Sequence, residues 1–385
     1  MKKATSMFII ILLIVVAGCR GGKQSTDDLI IVDVTKSYPK KELILQDFMD
    51  VEYVPLETND EFLTQGVVQD VGKEFILVTN RINDGDIFVF DRKTGKGIRK
   101  INRKGQGGEE YAFINKIVLD EKNNEMFVNN WGTKKILVYD LYGKFKRSFS
   151  AEFSNIFEYD KDNFIGYDMS GFNKDGEDRD STLYHVIISK QDGSITQGIS
   201  IPFKKFVSPI VRKAGGVASA PFLNYTIPFF NNWVLVESSS DTVFKYAPDS
   251  RLTPFIVRTP SINSMGIKVF LSLRCITDNY YFMFTLKSDF DFETGRGFYE
   301  EELMYDKQEK SLFQYDIYNS DYTETRPMSL GSKSLNHEIP SYRILEAYRL
   351  VEDYKKGILK GRLKDIASTM DAEDNPVIML VKHKK

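Results

Sequence analysis

Apolar and polar residues along the chain repeat as a short module of β-strands. The clearest copy spans residues 74–103: an apolar strand at 75–78 precedes a second strand at 87–91, which ends in an aromatic residue and Asp. A turn containing Gly95 follows, and residues 98–101 then alternate apolar and charged side chains. This alternation is typical of a strand with one buried face. The module therefore predicts a small antiparallel sheet.

Further copies of the module follow along the chain with less regular spacing. Their main strands are residues 126–128 and 136–140, 164–167 and 184–188, 233–236 and 242–246, and 280–284 and 302–306. Repeats of roughly 40 to 50 residues with several strands each are typical of β-propeller blades. One blade has two apolar faces, and stacking in a ring buries both of them. Five internal copies and strand-like segments at both ends predict six blades.

The two ends of the chain supply strands that would close this ring. Residues 29–32 and 51–56 near the N-terminus, and residues 377–382 near the C-terminus, have strand-like apolar patterns. We expect strands from both ends to share the last blade, because an open ring would expose two unpaired sheet edges. The predicted propeller domain is residues 29–385, with its closing strand at about 377–382.

One segment departs from the β pattern. Apolar residues between 342 and 370 recur at a helical period, and Gly357 and Gly361 predict a kink or a division into two helices. We expect its apolar stripe to pack on the rim of the ring, and a helix that binds a partner is the alternative. The predicted fold class is all-β, a six-bladed β-propeller with a C-terminal helical insertion before the closing strand.

The N-terminus has the pattern of an export signal. Lys2 and Lys3 precede an apolar run at 7–17, which is shorter than the ~20 residues of a membrane-spanning helix. The run ends in Val-Ala-Gly-Cys19, which resembles the lipobox of bacterial lipoproteins. We therefore predict a signal peptide at 1–18, lipid attachment at Cys19 and a flexible tether at 19–28. An ordinary secretory signal with a chance cysteine is the alternative.

Four short motifs resemble those of a known family. Residues 52–58 resemble EYIPLET, residues 90–96 resemble FDxxTGK, residues 105–111 resemble GQGPGEY, and residues 374–377 match DNPV. Gly108-Glu109 stands where the third motif usually has Pro-Gly. The family is the six-bladed β-propeller lipoproteins of Gram-negative bacteria, relatives of NHL-repeat and TolB-like propellers. The resemblance covers essentially all of the mature chain and implies an architecture and an envelope location more than an activity.

Arg20, which follows the lipobox cysteine, does not resemble an inner-membrane retention signal. We therefore expect the protein in the outer membrane. The sequence leaves two alternatives, a protein that faces the periplasm and one that faces the cell exterior.

Charge and cysteine content exclude some classes of protein. The net charge is -2 with both signs interspersed, whereas nucleic-acid binders cluster Lys and Arg. Cys275 is the one cysteine besides Cys19, so a chain lipidated at Cys19 has no intramolecular disulfide. The apolar context of Cys275 favours a buried structural thiol.

The sequence contains no recognisable catalytic or metal-binding motif. Its three histidines, His185, His337 and His383, are far apart, and HExxH, GxSxG and GxxxxGK[ST] patterns are missing. We therefore predict no catalytic residue, no bound metal and no cofactor. The acidic loop 173–180 is a weak calcium candidate, but it lacks the full ligand spacing, and a solvated loop is the preferred interpretation.

Propeller ligands usually bind where one face of the ring opens onto the central channel. The candidate ligand-binding residues lie beside strand ends of the clearest blades: Arg81, Asn83, Asn130, Trp131 and Lys134. Turn chemistry and blade packing are the alternative roles for these side chains. We expect a non-enzymatic binding or scaffolding lipoprotein of the envelope that recognises a protein, peptide or glycan. The alternatives are a propeller hydrolase or lyase, lactonase-like with a metal in the channel, and a structural partner in a larger envelope complex.

Overall fold

The computed structural model describes residues 29–130, 133–151, 153, 155–331 and 334–384. Cys19, the predicted signal peptide and Trp131 lie outside the described residues. In this part of the chain, no helix is long and apolar enough to cross a membrane.

The chain enters the fold through a segment that we call the N-terminal belt, residues 30–55. It consists of β1 (Ile30–Asp33), β2 (Lys40–Ile44), the short helix α1 (Leu45–Phe48) and β3 (Met49–Pro55).

Three regular blades follow, each an antiparallel sheet of four strands in chain order. Blade 1 contains β4 (Val67–Val71), β5 (Phe75–Thr79), β6 (Asp86–Asp91) and β7 (Gly97–Asn102). Blade 2 contains β8 (Ile114–Asp120), β9 (Glu125–Asn130), β10 (Lys135–Asp140) and β11 (Phe145–Ser150). Blade 3 contains β12 (Asn155–Glu158), β13 (Asn163–Tyr167), β14 (His185–Ser189) and β15 (Ile195–Ile199).

Blades 4 and 5 carry small additional hairpins. The hairpin of β16 (Val211–Arg212) and β17 (Ala218–Ser219) precedes blade 4, which contains β18 (Thr226–Phe229), β19 (Asn232–Leu235), β20 (Thr242–Tyr246) and β21 (Leu252–Thr259). Blade 5 begins with β22 (Val269–Ile276) and β23 (Tyr280–Lys287), followed by the hairpin of β24 (Phe290–Asp291) and β25 (Arg296–Gly297). It ends with β26 (Glu300–Asp306), β27 (Ser311–Tyr318) and the short β28 (Pro327–Met328), which pairs with β27.

Blade 6 combines the two ends of the chain. It contains β29 (Ser341–Leu345), then the helices α2 (Ala347–Lys355) and α3 (Gly361–Ala367), and then β30 (Val377–His383). β30 lies between β29 and β3 and is antiparallel to both, with Met379 opposite Tyr53. The structure therefore confirms the predicted all-β six-bladed propeller with a helical insertion before the closing strand.

The other N-terminal strand does not join the last blade, which corrects part of the sequence prediction. β1 pairs in parallel with β21 at the outer edge of blade 4, where Ile30 lies opposite Ile256. β2 likewise pairs in parallel with β27 of blade 5. The belt thus follows the perimeter across blades 4, 5 and 6. The apolar pattern of residues 29–32 predicted a strand correctly, but such a pattern does not specify which sheet edge a strand will join.

The helical insertion begins later than its sequence pattern suggested. Residues 341–345 form β29, so the predicted helical segment from Tyr342 is wrong over its first four residues. Tyr342 and Ile344 lie on one face of this strand and pack on the core shared with blade 1. The helices themselves bury Leu350 and Leu363 in a core with Tyr53 and other residues of blades 5 and 6. This packing agrees with the expected contact between the helices and the ring.

The first strands of the blades surround the axis of the ring. β4 contacts β8, β8 contacts β12, and β18 contacts β22. Turns between the first and second strands therefore meet at one end of the channel, which we call the first-turn face. Turns between the second and third strands lie at the opposite end, the second-turn face. Blade 6 has the irregular segment 334–340 beside the axis, where Asn336 donates a hydrogen bond to the Val71 carbonyl at 2.8 Å.

Candidate functional site

A pocket with a volume of about 430 Å³ lies at the first-turn face of the channel. Five blades contribute its walls: residues 70–73 of blade 1, residues 116 and 118–122 of blade 2, residues 156–161 of blade 3, Trp233 of blade 4 and residues 335–338 of blade 6. Such convergence follows from the fold, because the inner strand ends of all blades approach the axis. A concave site with apolar and polar lining is the usual form of a small-ligand site.

One side of this pocket is aromatic. Trp233, near the start of β19, is only 4% exposed, and its ring lies 5.8 Å from the ring of Phe157 and 6.3 Å from that of Tyr159. His337 packs edge-on against the Trp233 indole at 4.7 Å. Phe157 and Tyr159 are half-buried and Trp233 lies behind them, so their exposed parts could pack against the face of a sugar ring or an aromatic side chain.

A buried ion pair supports the pocket between blades 2 and 3. Asp120 at the end of β8 accepts a hydrogen bond from the Lys190 ammonium at 2.7 Å, and both side chains are buried. Burial alone would raise the pKa of Asp120, but the hydrogen bonds from Lys190 and Asn123 outweigh it and lower the pKa below its usual value. Lys190 also lies 3.3 Å from Glu158. These groups hold the two blades together.

Two other carboxylates of the pocket bind backbone amides of a neighbouring blade. Asp70 is buried and accepts from the amides of Val71 and Leu119, each at 2.8 Å. Burial raises the pKa of the Asp70 carboxyl above its usual value. Glu121 accepts from three consecutive amides, those of residues 73, 74 and 75, at 2.8 to 3.0 Å. Both carboxylates therefore join blade 1 to blade 2.

The lysines of the pocket have fewer partners. The half-buried Lys116 side chain donates a hydrogen bond from its ammonium to the Gln69 carbonyl, and burial lowers its pKa although the nearby Asp70 carboxylate opposes this. Lys73 and Lys122 are exposed at the mouth, and neither makes an ion pair within the part of the chain that the structure describes. Lys161 has a loose contact with its exposed neighbour Asp162 at 3.5 Å.

Two histidines that are distant in sequence meet beside the pocket. His383, at the end of β30, lies close enough to His337 to contribute to the lowering of its pKa. Burial is the larger cause and brings the pKa of His337 to about 4, so this imidazole is neutral at pH 7. Across the described residues, no group of three or more His, Cys, Asp or Glu side chains is placed to hold a metal ion.

The candidate residues from the sequence lie at the opposite end of the channel. Arg81 pairs with Glu346 at 2.6 Å, which links blade 1 to blade 6. The side-chain amide of Asn83 donates to the Ile114 carbonyl at 3.0 Å, and that of Asn130 accepts from the Phe113 amide at 3.2 Å. Lys134 has a left-handed backbone conformation at φ 52°. These four residues and the pocket do not form one site, and Trp131 lies outside the described residues.

Sequence reasoning did not identify the pocket residues. Trp233 belongs to a segment predicted only as an apolar strand, and no motif includes His337. Lys116 offered a usable signal, because it is a charged residue at the start of an otherwise apolar first strand. Their proximity depends on the ring geometry, since they belong to three different blades.

The acidic loop considered for calcium binding has other contacts. Within residues 173–180, the Lys174 ammonium pairs with Asp180. Asp175 accepts a hydrogen bond from the Ser208 amide at 2.8 Å. Asp175 and Asp180 therefore bind different protein partners. Cys275 is fully buried, as its apolar context predicted.

The family comparison assigns the fold to a known group. A family model described as a 6-bladed beta-propeller, DUF5128, matches residues 20–339. The chain belongs to this propeller family. Among solved structures similar to this propeller, a candidate exported protein of Bacteroides fragilis is 17% identical, with 93% of this chain and 100% of that chain covered and a TM-score of 0.58.

A second solved structure resembles the propeller more weakly. It is a member of the DUF4221 family from Bacteroides vulgatus, 13% identical, with 88% of this chain and 98% of that chain covered and a TM-score of 0.48. At these identities, structural likeness concerns the fold alone. A comparison with curated proteins finds no significant match.

Proposed function

We propose that this propeller is a non-enzymatic binding protein of the cell envelope and that its channel pocket holds a short saccharide. The observation that carries the proposal is the aromatic wall of Trp233, Phe157 and Tyr159 in a pocket that also contains amide and charged groups. Sugar rings have apolar C–H faces and polar edges, so they fit a site with rings on one side and hydrogen-bonding groups on the other.

The envelope location is part of the same proposal. A signal peptide at 1–18 and a lipid on Cys19 would anchor the mature chain, and we favour the outer membrane. The described chain begins at the outer edge of blade 4, away from the axis. A tether attached at this position leaves the pocket mouth free, which suits a protein that captures ligands close to a membrane.

Tryptophan fluorescence provides a direct test. The chain contains two tryptophans, so the variant W131F retains Trp233 as its sole reporter inside the pocket. We expect neutral and acidic mono- and disaccharides to give saturable changes in its emission. Chromatography of the same mixtures should recover each sugar intact. A panel that changes neither the emission nor the thermal midpoint would contradict the binding function, and cleaved sugars would support a hydrolase or lyase.

A pair of tyrosine variants locates the binding. Tyr159 lines the pocket, whereas Tyr299 is exposed on the additional hairpin region of blade 5. In the W131F background, Y159A should weaken saccharide binding about tenfold, because a stacking ring contributes roughly 1 kcal/mol or more. Y299A should leave it unchanged. Equal effects of the two substitutions would place the saccharide elsewhere.

A further inference from the structure

We infer that the saccharide is acidic and that the ammonium group of Lys116 binds its carboxylate. This inference rests on the binding function proposed above and specifies the ligand class of the same pocket. It follows from the partners of each charged group in the pocket walls.

The negative groups of the pocket are already bound by the protein. Asp120 has Lys190, Asp70 has two backbone amides, and Glu121 has three. Carboxylates with several protein donors keep little capacity to bind a ligand's hydroxyl or ammonium groups. These three side chains therefore stabilise the ring, and they are poor candidates for ligand contacts.

The remaining carboxylates have partners as well. Glu338 lies 3.2 Å from the Arg92 guanidinium. Asp160 accepts from the backbone amides of Asp162 and Asn163, each at 2.8 Å. Glu158 shares Lys190 with Asp120. Although acidic residues outnumber lysines in the lining, their charges are largely compensated by protein donors.

The lysines of the pocket have fewer direct protein partners than the carboxylates. Lys116 donates to a neutral carbonyl and forms no ion pair within 4 Å in the described chain, although the Asp70 carboxylate is near enough to raise its pKa. Lys73 and Lys122 extend the positive charge to the pocket mouth. A half-buried ammonium with one hydrogen bond and no direct ion pair keeps donors free, and a ligand carboxylate could accept from them.

The location of Lys116 also fits a single ligand that contacts both the aromatic wall and the Lys116 ammonium. Lys116 belongs to blade 2 and the aromatic wall belongs to blades 3 and 4, and all of these residues line one cavity. A uronic acid has a ring face and a carboxylate on the same residue. Such a sugar can contact the rings and the ammonium together.

Matched sugars test the charge preference. We would titrate the W131F protein with cellobiose and cellobiouronic acid, and with glucose and glucuronic acid, which differ by a carboxylate in place of a hydroxymethyl group. The acidic member of each pair should bind at least about tenfold more tightly, because hydrogen bonds to charged groups are the stronger kind. Substitution K116M should remove most of this preference, and K355M, on the exposed surface of α2, should retain it.

Each other result has a definite meaning. Equal binding of neutral and acidic sugars would overturn the inference and leave the proposed binding function intact. Binding of neither sugar would count against both. If K116M unfolds, the exposed variants K73A and K122A are tested instead. If neither of them reduces the preference for acidic sugars, the pocket lysines do not bind the ligand carboxylate. A preference lost in K73A or K122A but retained by folded K116M would overturn the role of Lys116.

Discussion

Buried and half-buried polar side chains join neighbouring blades at several positions of the ring. Arg147 of blade 2 forms a two-pronged ion pair with Glu125, at 2.7 and 2.9 Å, and also donates to the Lys190 carbonyl of blade 3. Asn224 ahead of blade 4 donates to the Leu273 carbonyl of blade 5 at 2.8 Å. Since an unpaired buried polar group is costly, these bonds specify how adjacent blades align.

His185 differs from these residues. It is fully buried at the start of β14, its ring lies 4.8 Å from that of Tyr167, and neither ring nitrogen forms a hydrogen bond of ordinary geometry. Burial lowers the pKa of His185 to about 3. The folded protein therefore keeps this imidazole neutral at pH values where the unfolded chain protonates it.

This difference makes stability depend on pH. The unfolded pKa is about 6.5, so the contribution of His185 is complete above that pH and is lost as the pH falls toward the folded pKa. Between pH 7 and pH 5, His185 should reduce the free energy of unfolding by about 2 kcal/mol. Urea unfolding at several pH values measures this free energy. Between pH 7 and pH 5, the free energy of unfolding of H185L should fall by about 2 kcal/mol less than that of the unsubstituted protein. Parallel profiles for the two proteins would refute the prediction.

At the scale of elements, the helical insertion is part of the core. The buried side of α2 and α3 includes Leu350 and Leu363, and both pack with strands of blades 5 and 6. The exposed side of α2 carries Tyr348, which is 50% exposed. The insertion therefore covers apolar side chains of blades 5 and 6 that would otherwise contact solvent.

Two substitutions distinguish the buried and exposed sides. L363A should lower the free energy of unfolding by about 2 to 5 kcal/mol, because it leaves a cavity at a fully buried position. Y348A should change it by less than about 0.5 kcal/mol. Chemical denaturation of both variants is the measurement. A loss for L363A no larger than that for Y348A would mean that the insertion does not pack as described.

Local sequence patterns predicted most elements but not their neighbours. The apolar strands of blades 1 and 2 were evident because both strand faces are buried and the turns repeat. The helix predicted for residues 342–345 is wrong, since apolar residues before a true helix fit its period by chance. Asn83 and Asn130 have amides at strand ends, a pattern shared by ligand contacts and blade contacts. Only the three-dimensional arrangement shows that they bond to backbone groups of adjacent segments.

At the scale of the whole molecule, one strand completes the ring. β30 is the middle strand of blade 6 and joins β29 to β3, so it connects the last part of the chain to the first. Its residues Val377 to Val381 are all buried. Loss of this strand would leave both neighbouring strands with unpaired edges.

Truncation tests this role of β30. A chain that ends at Pro376 should lose cooperative unfolding, whereas a chain that ends at His383 should unfold as the full-length protein does. Near-ultraviolet circular dichroism during thermal unfolding distinguishes these outcomes. A cooperative transition in the shorter chain would show that blade 6 closes without its central strand.

The prediction of six blades succeeded because the ring is built from similar units, whereas the pocket belongs to no single unit. Trp233, Lys116 and His337 approach one another only after blades 2, 4 and 6 have assembled. A repeat pattern contains information about what each blade buries. It contains little about the few side chains that meet at the axis.

The N-terminal belt is synthesised early but can pair with its partner strands only late. Its strands leave the ribosome first, yet Ile30 pairs with Ile256 and Met49 pairs with His383. The leading segment must therefore wait, without its final partners, until almost the entire polypeptide has been made. Such long-range pairing slows folding. If the chain is exported N-terminus first, as proposed above, its leading segment stays unpaired until the C-terminal strands have also crossed the membrane.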